Sequence, residues 1–318
     1  MSLVSIIIPT VNRPNLIVNA LNSIYEQSYT GDIEIYVIDS SVDDSTKIKC
    51  ESYENLPNRK LTYVKNKFSK NPIDNYIVGA EYIKGNYSKF LCDDDFLDQN
   101  FIDESINQMK KYNAVCSITN LNIKNNINDF DQVENYYSIP DGIVDISNIN
   151  EFIFNSKPIP TSDSASLMLS DKLRESFYLS LEISECTKRQ YGFDFFINYL
   201  PVFDGTNSVF LNKPLVNSLA GRDSLTVNAR MSEISYCIFY SYLFLADKFD
   251  IKIDEKYKKN LKHRIAASKI KSLLSKEFKT LTPKIALSGF LSIKILFFNL
   301  TKRVRIKFKY YLLNKFID

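Results

Sequence analysis

Apolar and polar positions in the first 118 residues follow two alternating periods. Residues 3–8 are a β-branched run ended by Pro9, and 33–38, 61–64, 87–92 and 114–118 are further short apolar runs. Between them, residues 15–26 place Leu16, Ala20, Leu21 and Ile24 at helical spacing, and 43–53, 73–83 and 100–111 continue the helical pattern. Short strands alternating with helices predict an α/β chain built on a doubly wound, mostly parallel sheet of Rossmann-like form. Residues 120–145 are rich in Asn and Asp with weak periodicity, which predicts a long loop over the sheet. Strand signals return at 165–169 and 208–211, with helices near 171–179 and 194–200. Beyond Asp223 only amphipathic helical patterns follow, punctuated by Pro283 and Gly289. Residues 285–300 form the most apolar stretch. They contain Lys294 and fall short of the ~20 apolar residues a spanning helix needs. A helix lying in a membrane interface and a core helix of a helical subdomain both fit.

Composition narrows the chemistry. With 45% hydrophobic residues the chain buries a core, and 8 Gly and 10 Pro among 318 residues exclude collagen-like and low-complexity classes. The 5 Cys are scattered without a CxxC pair, so neither a disulfide framework nor a thiolate zinc site is indicated. With His263 as the single histidine, no HExxH helix is available. The opening MSLVSIIIPT lacks a charged n-region, so no signal peptide and a reducing, cytoplasmic setting are expected. The net charge of +3 hides a division: residues 255–318 hold 17 Lys/Arg against 3 acids, and the rest hold 34 acids against 23 bases. An acidic body with a basic, aromatic-rich end predicts contact between that end and an anionic surface.

In an open parallel sheet, ligands bind beyond the carboxyl ends of the strands. Polar residues stand at each of these ends: Pro9-Thr10-Val11-Asn12-Arg13, Asp39-Ser40-Ser41, Lys65-Asn66 and Asp93-Asp94-Asp95. If the last segment continues as a strand, Asp93 and Asp95 project to one side and Asp94 to the other. Two converging carboxylates invite Mg²⁺ or Mn²⁺, with a phosphate-bearing ligand completing the shell; the competing reading is a solvated acidic turn. No GxxxxGK[ST] or GxGxxG is present, so phosphate charge falls to the metal and to Arg13 and Arg222.

The segment Ser5-Ile-Ile-Ile-Pro-Thr-Val-Asn-Arg-Pro14 resembles the opening motif of family-2 glycosyltransferases of the GT-A fold. Ile35-Tyr-Val-Ile-Asp39 with the serines and acids that follow is similar to their second motif. Gly85 through Asp95, followed by Phe96-Leu97, resembles their glycine, strand and DxD block. The match in order and spacing covers about 110 residues.

This resemblance implies an inverting transfer from a nucleotide-diphosphate sugar, a UDP-sugar, to a saccharide or lipid-linked saccharide hydroxyl. It places Pro9, Thr10, Asn12, Arg13, Asp39, Asn66, Asp93, Asp94 and Arg222 around the donor nucleotide, with Asp39 accepting from a pyrimidine N–H. Asp95, with Asp93, holds the metal. Asp194, in Tyr191-Gly-Phe-Asp-Phe-Phe196, is the candidate general base, with Asp163 and Glu185 in reserve. Two departures stand out. The usual Glu-Asp pair is Phe193-Asp194, and Gly221-Arg-Asp-Ser-Leu-Thr226 carries no histidine where many relatives have one. The expected organisation is a GT-A domain over 1–222, with its nucleotide half at 1–118 and acceptor half at 119–222. A basic helical region over 223–318 follows. Its residues 255–318 would rest on an anionic membrane, placing the protein at the inner face of the cell membrane. A nucleic-acid partner is not expected. A non-catalytic GT-A-fold subunit of a polysaccharide assembly complex remains the alternative reading.

Overall fold

The computed structural model describes residues 1–265 other than 70, 125–131, 134–136, 138, 156–159, 184–191, 220–230, 256 and 264. The chain divides into two compact units, one of Met1–Ala229 with Ser241–Ile251, the other of Arg230–Tyr240 with Lys252–Asp318.

The first unit is an α/β layer structure. Its strands are β1 (Val4–Thr10), β2 (Ile33–Asp39), β3 (Arg59–Lys65), β4 (Tyr87–Phe90), β5 (Asp95–Leu97), β6 (Cys116–Lys124), β7 (Gln132–Val133), β8 (Gly142–Val144), β9 (Ser166–Leu169) and β10 (Ser208–Leu219). Its helices are α1 (Ile17–Tyr25), α2 (Ser45–Glu51), α3 (Ile73–Glu81), α4 (Phe101–Lys111), α5 (Ile146–Asn155), α6 (Ser170–Leu181) and α7 (Phe193–Phe203); α8 (Met231–Lys248) is divided between the two units after Tyr240. The sheet runs β3-β2-β1-β4-β9-β6-β10-β5, with β7 against β6 and β8 against β10. Strands β1 to β4 are parallel, in register from Val4 beside Ile33 to Thr10 beside Asp39. Strand β9 is antiparallel to both its neighbours, β4 and β6.

That reversal matters for the site. Because β9 runs the other way, its beginning lies at the same end of the sheet as the carboxyl ends of β1 to β4. The turn just before it, Asp163–Ala165, therefore arrives beside the end of β4.

All seven residues of β1 are buried, as a strand covered on both faces should be. Helix α3 packs so closely on it that a Cβ added at Gly79 would lie 2.3 Å from Ile7 Cγ2. A Cβ at Gly85 would lie 2.6 Å from the Leu3 carbonyl oxygen, so the turn into β4 requires glycine. Tyr76, Phe90, Phe177 and Phe193 form a ring cluster over β4, with Tyr76 4.9 Å from both Phe90 and Phe193.

Residues 120–145 differ from the expected loop. Strand β6 continues to Lys124, and β7 and β8 follow. Likewise β10 runs twelve residues, to Leu219. The physical reason is pairing: β10 lies in a ladder with β6 and with β5 and β8, so its backbone groups are satisfied regardless of weak local propensity. The polar side chain of Asn120 fits because its amide donates to Tyr137 O (2.8 Å) and Asn212 Oδ1 (2.7 Å).

Among the described residues no helix is long and apolar enough to cross a membrane. Residues 285–300, and most of the basic end, lie outside the described residues.

Candidate active site

The carboxyl ends of β1 to β4 carry the polar residues that the sequence singled out, and each has defined partners. Asp39, fully buried at the end of β2, accepts from the Ser41 N–H at 2.7 Å, the Ser41 hydroxyl, and the Tyr63 hydroxyl at 2.7 Å. The Lys65 ammonium lies 3.6 Å away. A carboxylate offers about four acceptor positions, so these donors fill Asp39. A ligand N–H reaches it only by displacing one of them.

Asn12 and Asn66 build the loops. Asn12 adopts a left-handed φ of 55°; its N–H donates to Ser41 Oγ at 2.7 Å and its side chain accepts from Val42 N–H at 3.2 Å. Asn66 donates to Asn75 Oδ1 at 3.0 Å, and Asn75 in turn donates to the Thr10 carbonyl and Ser40 Oγ at 3.0 Å each. One asparagine of α3 thus ties the ends of β1, β2 and β3 together. Pro9 is buried within β1 beside Ile38.

The acidic segment is a turn and not an extension of the strand. Strand β4 ends at Phe90, Leu91 N–H bonds Ile7 O, and Asp95 N–H donates back to Cys92 O at 3.1 Å. The expected alternation of Asp93 and Asp95 therefore does not hold. Asp93 faces β1, where the Thr10 hydroxyl (2.6 Å) and the Arg13 guanidinium (3.0 Å) donate to it, and Arg13 also reaches Asp94 at 3.2 Å. Asp95 is buried and takes hydrogen bonds from Ser164 and Ser218. Turning the chain brings Cys92 Sγ and one carboxylate oxygen each from Asp94 and Asp95 within 4.8 Å of one another. By donor chemistry and spacing, this set fits a divalent cation.

Burial is the main influence on the acids of the turn. Burial pushes Asp93 up to about 6, with Arg13 opposing. Burial and the neighbouring Asp94 push Asp95 up to about 7. Asp163 is raised by burial, while its hydrogen-bond donors pull the other way. The Asp163 carboxylate accepts from the Tyr76 hydroxyl at 3.0 Å, from the Cys92 thiol at 3.4 Å and from Ser164 N–H at 3.0 Å. So engaged, Asp163 joins the turn, α3 and the start of β9, and is poorly placed to accept a proton from an incoming hydroxyl.

Asp194 is placed differently. It sits in the first turn of α7 after Gly192, whose φ of 99° only glycine adopts without strain. Its Oδ1 accepts from Gly192 N–H (3.1 Å) and Phe195 N–H (2.8 Å), and the residue is half-buried. Helix α7 is anchored to the turn before β9 through Asn198, which donates to Pro160 O at 2.9 Å. Phe193, next to Asp194, packs on Tyr76. These contacts set the start of α7 beside Tyr76 and the segment before β9, where Asp194 senses the charge of Asp163. Burial and then the charge of Asp163 push it up to about 7, the range suited to a general base at neutral pH. Arg222 and Glu185 lie outside the described residues.

Sequence reasoning missed Lys89, Tyr76, Ser164 and Cys92. Lys89 is buried in β4, donates to Ser164 O at 2.5 Å and lies 3.8 Å from the centre of the Phe101 ring. Burial depresses it to about 7, while Asp163 and Asp95 work to keep it charged. A lysine inside the run Tyr-Ser-Lys-Phe-Leu-Cys was the available signal, since a buried strand admits one only with partners.

Residues 5–163, half of the chain, match the family described as Glycosyl transferase family 2. The chain is 32% identical over 93 residues to the GalNAc(5)-diNAcBac-PP-undecaprenol beta-1,3-glucosyltransferase of Campylobacter jejuni, covering 29% of this chain and 30% of that protein. It is 29% identical over 124 residues to the UDP-Glc:alpha-D-GlcNAc-diphosphoundecaprenol beta-1,3-glucosyltransferase WfgD of Escherichia coli, covering 39% of this chain and 47% of that one. The matches thus span less than half the length of either relative. In fold it resembles S. aureus TarS 1-349 in complex with UDP-GlcNAc, with a TM-score of 0.57 at 15% identity over 91% of this chain and 78% of that one. The architecture is that of the GT-A fold.

Proposed function

The chain belongs to glycosyl transferase family 2, and on that premise we propose that it transfers a sugar from a UDP-sugar to a hydroxyl of a saccharide or lipid-linked saccharide. What supports this reading is the gathering of the acidic turn, Asp163 and Tyr76 at one end of the sheet, with Asp194 close enough to Asp163 to feel its charge.

Each residue has a task. Pro9 and Thr10 form the floor under the nucleotide. Asp39 receives the base N–H in place of Lys65 or Tyr63. Thr10 and Arg13 hold Asp93 toward the ribose or donor sugar. Asp94 and Asp95 hold Mg²⁺ or Mn²⁺, which when bound offsets charge on the diphosphate. Arg222, outside the described residues, would face the same charge. A sugar hydroxyl is a weak nucleophile at neutral pH, so Asp194 takes its proton during attack on the anomeric carbon. Direct attack inverts that carbon and needs no covalent intermediate on the protein.

The proposed division is a GT-A domain over 1–222 and a basic helical region over 223–318. The 17 Lys/Arg of residues 255–318 suit an anionic leaflet, at the inner face of the cell membrane where a lipid-linked acceptor is held. The relatives named above carry undecaprenol acceptors in their names, which favours that acceptor class.

The test is a thermal-shift panel of nucleoside diphosphates and UDP-sugars with and without Mn²⁺, followed by transfer assays. A metal-dependent shift for one UDP-sugar that vanishes in Asp95→Ala supports the donor assignment. No shift with any of them, and no transfer, would move the reading to the non-catalytic subunit. Deleting residues 302–318 should weaken sedimentation with anionic vesicles; unchanged sedimentation sinks the membrane role of that end.

A further inference from the structure

We propose that Cys92 supplies a sulfur donor to the cation at the acidic turn, so that the ion is held by Cys92 Sγ with Asp94 and Asp95. This inference rests on the reading of the turn as a cation site.

The geometry supports the assignment in three ways. First, the turn closed by Asp95 N–H on Cys92 O sets residues 92 and 95 side by side. The Sγ and the two carboxylate oxygens then lie within 4.8 Å of one another. Three donors about 2.0–2.3 Å from one ion and spread evenly around it lie at most about 4.0 Å apart, so ion binding draws the three side chains inward by up to roughly an ångström. Second, Asp93 faces β1, where Thr10 and Arg13 both donate to it; Arg13 also reaches Asp94 at 3.2 Å, a contact that ion binding would replace. Third, Cys92 is partly exposed at the site, whereas Cys50, Cys116 and Cys237 are buried.

The proton also has somewhere to go. Cys92 donates to Asp163 Oδ1. When the sulfur–metal bond forms, the S–H bond breaks and its proton passes along that contact to the Asp163 carboxylate. Charge is conserved: thiol, carboxylate and free cation become thiolate-bound cation and carboxylic acid. A coordinated thiol is deprotonated in this way whatever its ordinary pKa.

A sulfur ligand changes ion preference. Two carboxylates alone suit Mg²⁺ and Mn²⁺, whereas a thiolate draws the softer Zn²⁺ and Cd²⁺ and disfavours Mg²⁺. The expected preference is therefore Cd²⁺ and Zn²⁺ first, then Mn²⁺, with Mg²⁺ last.

The experiment uses the full metal-free chain, kept reduced, titrated with Cd²⁺ alone and with Cd²⁺ plus UDP. The ultraviolet thiolate-to-cadmium charge-transfer band is followed. In parallel, Mn²⁺ and Mg²⁺ affinities are measured by calorimetry. The expected result is a band saturating at one equivalent, retained in Cys50→Ser and lost in Cys92→Ser. Cys92→Ser should also narrow the Cd²⁺-over-Mg²⁺ preference by at least the roughly tenfold that a lost metal-site contact costs. If Mn²⁺ binds and is lost in Asp95→Asn, yet no band appears and Cys92→Ser leaves the preference unchanged, the sulfur ligand is refuted while the cation site stands. If no ion binds with or without UDP, both fall. Circular dichroism of Cys92→Ser and Cys92→Ala checks folding; a Cys92→Ala variant that keeps the band also overturns the proposal.

Discussion

Neutralising the buried acid of the turn should stabilise the metal-free protein while removing its function. Asp95 is pushed up to about 7 by burial and by Asp94, against roughly 3.9 in an unfolded chain. Between about pH 4 and pH 7 the folded state keeps a proton that the unfolded state has released, so this group's contribution to stability falls as pH rises through that window. Three units at about 1.4 kcal/mol each set a ceiling of about 4 kcal/mol above pH 7. Water entering the turn, and the loss of one partner from the Ser164 and Ser218 hydrogen bonds, reduce the gain from Asp95→Asn to about 2 kcal/mol. For a domain of this size that is about 4–8 °C in Tm. The assay is urea and thermal unfolding of wild type and Asp95→Asn at pH 5 and pH 8, both in EDTA. The variant should gain at pH 8 and show little gain at pH 5. A variant that is less stable at pH 8, or whose stability changes with pH as the wild type's does, would refute the account of a charge held at the expense of folding. Adding Mn²⁺ should reverse the order, because the wild type alone regains the cation.

Asp194→Asn should preserve UDP binding, lower kcat by about 10²–10⁴-fold, and leave Tm within a few degrees. Wild-type kcat/KM should drop about tenfold per unit below about pH 7, because the base must be ionised and burial with Asp163 holds it near 7; a profile flat down to pH 5 would exclude this base. Arg59 is buried, with its guanidinium donating to the carbonyls of Gln27, Tyr29, Gly31 and Asn58. Arg59→Met should lose about 3–5 kcal/mol in urea unfolding, and a loss under 1 kcal/mol would show that water replaces the clamp. Gly79→Ala places a methyl 2.3 Å from Ile7 Cγ2 and should cost about 1–3 kcal/mol, read as a lower unfolding midpoint without altered UDP selectivity.

Local periodicity determined much of this molecule. The β-branched runs at residues 3–8 and 33–38 and the helical spacing of 15–26 are properties of neighbours in the chain, and they appear as β1, β2 and α1. The polar ends of the first four strands were equally legible, because a strand's end is set by where its apolar run stops. Which of those polar groups meet was decided by the tertiary structure. Asp163 reaches the acidic turn because β9 runs antiparallel between β4 and β6, and strand direction is settled by partners far away in sequence. Likewise residues 92–95 read as the end of a strand, but the ladders of β4 with β1 and β9 stop by Phe90, and Asp95 pairs instead with Ser218 of β10. The chain turns there, sending Asp93 to Arg13 and Cys92 toward Asp95. Lys89 could be seen as an anomaly in an apolar run, yet only the packed sheet supplies the Ser164 carbonyl and the Phe101 ring that let it stay buried. Short-range sterics and hydrophobic spacing are written residue by residue; the convergence of carboxylates, a thiol and a buried cation depends on long-range pairing, which no local window contains.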